Sequence, residues 1–203
     1  MNLYLGFVII SWTFQCIILN TGDIHPNPGP NIMQDYNNIS ICHSNIRSLK
    51  QNCDSTGTRF KLDHVKCQLA GNFDIITLSE TWLTGSDSSD DYIIPGYQKP
   101  YRRYRGLNFG TVGYGGVLAW VSEKIACKRR DDLEINEAEA MWLEIRSGNN
   151  KFFVCILYRT SSNSDRTFWD KMQDMITPIF EMGAIFTIIG DLNADPSTSE
   201  GKN

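Results

Sequence analysis

The order in which apolar periodicities change along this chain is what most restricts its fold. Residues 38–45 alternate as a strand, with Ile39 and Ile41 on one face. Residues 60–69 take helical spacing through Phe60, Val65 and Leu69. Residues 74–79 and 115–121 read as strands again. Residues 141–146 and 151–158 form a hairpin candidate across Ser147-Gly148-Asn149-Asn150. A helix follows from Asn163 or Ser164 as N-cap, with Phe168, Met172, Met175, Ile176 and Ile179 on one face. Residues 184–189 are the last strand. Strand–helix–strand at both ends, with hairpin strands between, predicts an α+β chain: mixed sheets with helices outside rather than a parallel wind.

Composition supports a packed body. Hydrophobic residues make up 41% of 203 residues, which excludes intrinsic disorder. A net charge of −4 argues against wholesale coating of nucleic acid but leaves room for a local basic patch. The six cysteines (16, 42, 53, 67, 127, 155) show no zinc-type spacing, so reduced, buried thiols in an intracellular body are expected. Residues 1–19 carry no charged side chain. They fall at the lower edge of the ~20 apolar residues a membrane span needs, and Ser11, Thr13 and Gln15 weaken one. No Lys or Arg stands near the start, as a signal peptide would want. Stable membrane association is therefore not expected.

Several strands end in polar groups. The first delivers Asn45, the second Glu80, the LYR strand Tyr158, and the last Asp191 and Asn193. One acid after a strand is usually a solvated loop residue or a helix cap; the set together reads differently. Glu80 and the Asn45 amide oxygen suit a hard cation such as Mg²⁺, which takes one or two carboxylates and keeps waters. Asp191 can orient or deprotonate a water. Asn193 and Tyr158 can donate to charge on a phosphate oxygen. This is equipment for metal-assisted phosphodiester hydrolysis. His25, His43 and His64 show no HxH or HExxH spacing.

In order, NIRSL, LSETWL, GYGGV, LYR and IIGDLN resemble the endonuclease/exonuclease/phosphatase superfamily, and more closely the endonuclease domain of non-LTR retrotransposon polyproteins. The resemblance spans about four-fifths of the chain. It implies a DNase I-like, four-layer α/β/β/α sandwich and a divalent-metal-dependent DNA endonuclease that nicks target DNA to prime reverse transcription. It further implies Mg²⁺ or Mn²⁺ held by Asn45 and Glu80, phosphate contact by Tyr158, water activation by Asp191 and transition-state stabilisation by Asn193. DNA is the implied partner, a reverse transcriptase domain is expected in the intact element, and the nucleus is its expected compartment. The family's later Ser-Asp-His motif does not occur before Asn203, so a copy truncated before its closing strands, with little or no activity alone, is expected. The alternatives are a catalytically dead fragment, or another phosphodiesterase or phosphatase of the superfamily.

KPYRRYR packs Lys99, Arg102, Arg103 and Arg105 with two tyrosines. It reads either as a DNA-contacting loop or as a solvated surface loop. Trp82 is expected to pack. GDIHPNPGP, residues 22–30, resembles the StopGo-type ribosome-skipping peptide, matching at Asp23, Asn27, Pro28, Gly29 and Pro30, with His25 where that peptide usually has Glu. Proline is a hindered nucleophile that also restricts its neighbour, so the Gly29–Pro30 bond is the one expected to fail. The alternative is a plain Pro-rich linker. The expected organisation is residues 1–30 as apolar segment plus skipping peptide, 31–37 as linker and 38–203 as nuclease domain; unskipped product would be open to secretion.

Overall fold

The computed structural model describes residues 15–19, 39–52, 60–105, 114–135, 138–147, 150–160 and 165–193. The skipping-like peptide, the linker, the tip of the hairpin turn and the candidate N-caps Asn163 and Ser164 lie outside those residues.

Two sheets form. The first contains β1 (Gln15–Leu19), β2 (Ile39–Asn45), β3 (Ile75–Ser79), β4 (Tyr101–Arg103) and β5 (Val117–Val121), in the order β1-β2-β3-β5-β4. The second contains β6 (Ala126–Arg129), β7 (Glu139–Ser147), β8 (Asn150–Tyr158) and β9 (Ile185–Asp191), in sequence order. Each sheet has one parallel pair joined by a helix. The helix α1 (Lys61–Leu69) links β2 to β3, and α2 (Asp165–Glu181) links β8 to β9. The remaining pairings are antiparallel.

The period-two pattern explains the layering, because alternate residues of a strand face opposite sides of the sheet. Ile39, Ile41, Ile75, Val117, Val121, Met141, Leu143, Val154, Ile156 and Ile189 face inward and form the core between the sheets. On the other side of the first sheet, Cys42, Ile76, Leu78, Leu118 and Trp120 pack with Val65 and Leu69 of α1. On the far side of the second sheet, Trp142, Phe153, Cys155 and Leu157 pack with Phe168, Met172, Met175 and Ile179 of α2. The result is the α/β/β/α sandwich. Central strands covered on both faces need apolar residues at nearly every position, and β3 and β5 are buried along their whole lengths.

Some expectations change. Phe60, read as part of the apolar face of α1, is extended at its N-cap and 51% exposed, so Val65 and Leu69, with Leu62 beside them, seat that helix. The first three residues after Pro100, read as loop, form β4, an edge strand paired with β5. Residues 15–19, from the uncharged apolar start, run antiparallel along the outer edge of β2. Cys42 and Cys155 are buried, Cys127 is half-buried and Cys67 is exposed, and none of these four is in a disulfide. Burial pushes the Cys127 thiol up to about 11 and also raises that of Cys155, so neither is poised as a nucleophile. No described helix is long and apolar enough to cross a membrane.

Candidate active site at the strand ends

Parallel pairing places strand ends side by side. Asn45 closes β2 beside Ser79 of β3, so Glu80 follows within reach of Asn45. Tyr158 closes β8 beside Asp191 of β9. The sandwich then brings the two pairs together. The Asn45 carboxamide nitrogen donates to Glu80 Oε1 at 2.8 Å and to Asp191 Oδ2 at 2.8 Å. One nitrogen thus bridges carboxylates from different sheets, which are no more than twice that distance apart. The Tyr158 hydroxyl donates to Glu80 Oε1 at 2.9 Å. Asn45, Glu80, Tyr158 and Asp191 are half-buried and Asn193 is exposed, so the cluster opens to solvent.

The Tyr158 phenol is pushed far up by burial and then by its hydrogen bond to Glu80. It stays a proton donor at any physiological pH. Asn193 Nδ2 donates to the Arg159 carbonyl at 2.5 Å, and its backbone N–H donates to Asp191 Oδ1 at 2.9 Å. Asn193 is therefore a clamp on the Asp191 turn in this structure. Its φ of +44° lies in the left-handed region that Asn tolerates well.

Glu80 is more constrained. Its φ is +52° and that of Trp82 is +56°. Such conformations cost of order 1–3 kcal/mol each and persist only where the surroundings impose them. Here the Ser48 N–H donates to the Glu80 carbonyl at 2.7 Å, and the Thr81 and Trp82 N–H groups donate to the Gly116 and Gly115 carbonyls. Gly190 has a different reason. A Cβ there would overlap the Leu157 carbonyl oxygen, so only glycine lets β9 lie against β8 just before Asp191.

The oxygen donors suit a hard cation. Glu80 and Asp191 offer two carboxylates, matching what a water-rich Mg²⁺ takes from a protein, while the Asn45 carboxamide turns its nitrogen to them and its oxygen accepts the Arg47 N–H at 3.2 Å. No set of three His, Cys, Asp or Glu side chains able to hold a metal occurs among the described residues.

The basic residues are engaged within the chain. Arg103 donates to Glu134 and to the Ala140 and Ile135 carbonyls, with its side chain only 15% exposed. Arg102 donates to the Asp87 carbonyl, and Arg105 pairs with Glu139. Lys99 forms an exposed pair with Asp90. Trp82 meets Tyr114 edge to face at 4.9 Å.

Two residues of this region escape a sequence reading. His43 lies between the sheets, 8% exposed, with Nδ1 3.0 Å from the Thr77 hydroxyl and Nε2 3.3 Å from that of Ser79. Glu139 sits opposite Tyr158 in the β7–β8 ladder. Register counted out from the hairpin turn would have found it; its spacing from any other acid would not.

A two-sheet sandwich with carboxylates and amides converging at the strand ends defines a class of phosphoester-cleaving scaffold. The chain belongs to the Endonuclease/Exonuclease/phosphatase family, whose model matches residues 42–203. Members of that family are hydrolases acting on phosphodiester bonds. No curated protein matches the chain. Among solved structures, the human Nocturnin catalytic domain is similar with TM-score 0.55 and 16% identity, over 81% of this chain and 67% of that one. The endonuclease domain of TRAS1, a telomere-specific non-LTR retrotransposon, gives 0.52 and 13%, over 80% of this chain and 65% of that one. The Xenopus laevis APE2 catalytic domain gives 0.50 and 18%, over 77% and 59%. The chain thus spans about two thirds or less of these relatives' length, and at such identities the likeness is one of fold.

Proposed function

We propose that this chain is the DNA-nicking endonuclease domain of a non-LTR retroelement and works with Mg²⁺ or Mn²⁺. The observation that carries the reading is the single hydrogen-bonded cluster of Asn45, Glu80, Tyr158 and Asp191, drawn from both sheets. The StopGo-like GDIHPNPGP favours a retroelement over the other phosphodiesterases and phosphatases of the family.

In this reading Glu80 would hold the cation, with Asn45 turning its carboxamide oxygen from the Arg47 N–H to join it. When bound, the cation contributes several kcal/mol of charge stabilisation at the phosphoryl oxygens. Asp191 orients the attacking water and takes its proton. Tyr158, a permanent donor, hydrogen-bonds a phosphate oxygen. The free amide hydrogen of Asn193 donates to charge that builds up on the phosphate. Water oxygen bonds to phosphorus, the P–O3′ bond breaks, and the leaving oxygen takes a proton from solvent to become a 3′-hydroxyl that primes synthesis by a reverse transcriptase domain. Such work on genomic DNA places the intact element's protein in the nucleus.

Supercoiled plasmid is the test. Nicking, however slow, that needs Mg²⁺, leaves an extendable 3′-hydroxyl and disappears in Glu80→Ala supports the reading. Nicking indifferent to Glu80→Ala would refute it. Turnover of small phosphate esters without nicking would favour the phosphatase alternative.

A further inference from the structure

Glu139 stands where the two halves of the candidate site must be joined. It opens β7 directly opposite Tyr158, in the sheet that also delivers Asp191. Its carboxylate crosses to the other sheet, where Oε2 accepts the Gly116 N–H at 2.7 Å. Oε1 accepts from Arg105 Nε at 2.5 Å, so both oxygens are occupied. The side chain is 15% exposed. Gly116 in turn accepts the Thr81 N–H at 3.2 Å, and Gly115 accepts the Trp82 N–H at 2.9 Å. Those two amides immediately follow Glu80, in the left-handed turn that displays it. The twin glycines fit this contact. Both have φ near +80°, and a Cβ on Gly115 would meet the Glu139 carboxylate.

We infer that Glu139 is a positioning residue: its carboxylate ties the sheet bearing Tyr158 and Asp191 to the loop that presents Glu80, and so sets the separation of the groups that hold the cation. It touches neither cation nor phosphate and acts through Gly116 and Thr81. The inference rests on the metal-assisted reading. It also deepens it, because KPYRRYR then contributes Arg105 to the brace as the counter-charge of Glu139. Residues that orient metal ligands from outside commonly change affinity by roughly 10- to 100-fold when removed.

The test is Mn²⁺ titration of the full chain followed by electron paramagnetic resonance, with amide hydrogen exchange alongside. Glu139→Ala should weaken Mn²⁺ binding by roughly 10- to 100-fold. It should speed exchange at Gly116, Thr81 and Trp82 while Ile76 and Leu78 of the central strand stay protected. Glu139→Gln, whose amide oxygen still accepts the Gly116 N–H, should recover most of the affinity. Wild-type affinity in Glu139→Ala overturns the inference. So does Gln as weak as Ala, or faster exchange throughout the sheet. A wild-type chain that binds no Mn²⁺ refutes the nuclease reading instead, and the exchange pattern still decides whether Glu139 braces the loop.

Discussion

Acid should undermine this sandwich through one buried side chain, His43. The Thr77 hydroxyl donates to the Cys42 carbonyl at 2.8 Å, so it accepts from His43 Nδ1–H. Nε2 is left as acceptor for the Ser79 hydroxyl. The neutral ring satisfies this arrangement; an added proton would bury a positive charge between the sheets. Burial lowers the His43 pKa from 6.5 to about 4. The unfolded chain therefore binds a proton that the folded chain refuses between those values, and stability falls as pH drops from 6.5 toward 4. At pH 4.5 the linkage amounts to about 2.5 kcal/mol, approaching ~3.4 kcal/mol only well below pH 4, where the folded state is protonated as well. Against a total of 5–15 kcal/mol for a typical domain this is a large fraction. The assay is urea unfolding at pH 7.5 and 4.5 for wild type and His43→Gln. Gln removes the titration and keeps one donor and one acceptor. The wild type should lose about 2.5 kcal/mol more than the variant. Equal losses would show that His43 is not held neutral between the sheets.

Three further outcomes follow from the same geometry. Gly190→Ala forces β9 off the Leu157 backbone, which cannot yield as a flexible side chain would. Chemical denaturation should show a loss of about 1–3 kcal/mol or more, with cleavage activity falling further because Asp191 is the next residue. Tyr158→Phe removes the donor to Glu80 while keeping the ring, so nicking should drop with Tm little changed. A drop in Tm matching the activity loss would make Tyr158 purely structural. Translation in vitro should release a piece ending at Gly29 and a body starting at Pro30, partially given His25. A single full-length product, unchanged by Pro30→Ala, would refute ribosome skipping.

Much of the frame was legible because local patterns carry it. The alternation of Ile39 and Ile41 and the helical face Phe168–Met172–Met175–Ile179 each appear where the periodicity puts them. What stayed hidden depends on partners distant in sequence. KPYRRYR looks like a charged loop, yet Tyr101–Arg103 is an edge strand because β5 offers it a ladder, and Arg103 turns inward to Glu134. Phe60 looked like core because helical spacing places it there, but the helix starts one residue later. The five polar positions at strand ends were visible as a set, since each terminates an apolar run. Nothing local tells that Asn45 would bridge Glu80 and Asp191, which lie 146 residues from Asn45 in the latter case. His43 finds Thr77 and Ser79 only because β2 pairs with β3, and Glu139 finds Gly116 only because one sheet packs on the other.

The central claim is that Asn45, Glu80 and Asp191 surround one cation-binding position at the meeting point of the two sheets. Crystals of the full chain grown with Mn²⁺ test it most directly through the anomalous signal. The account predicts one peak in direct coordination with the Glu80 carboxylate and near Asn45 and Asp191, absent from Glu80→Ala crystals. A peak elsewhere with this cluster empty, or one that survives Glu80→Ala unchanged, would contradict it.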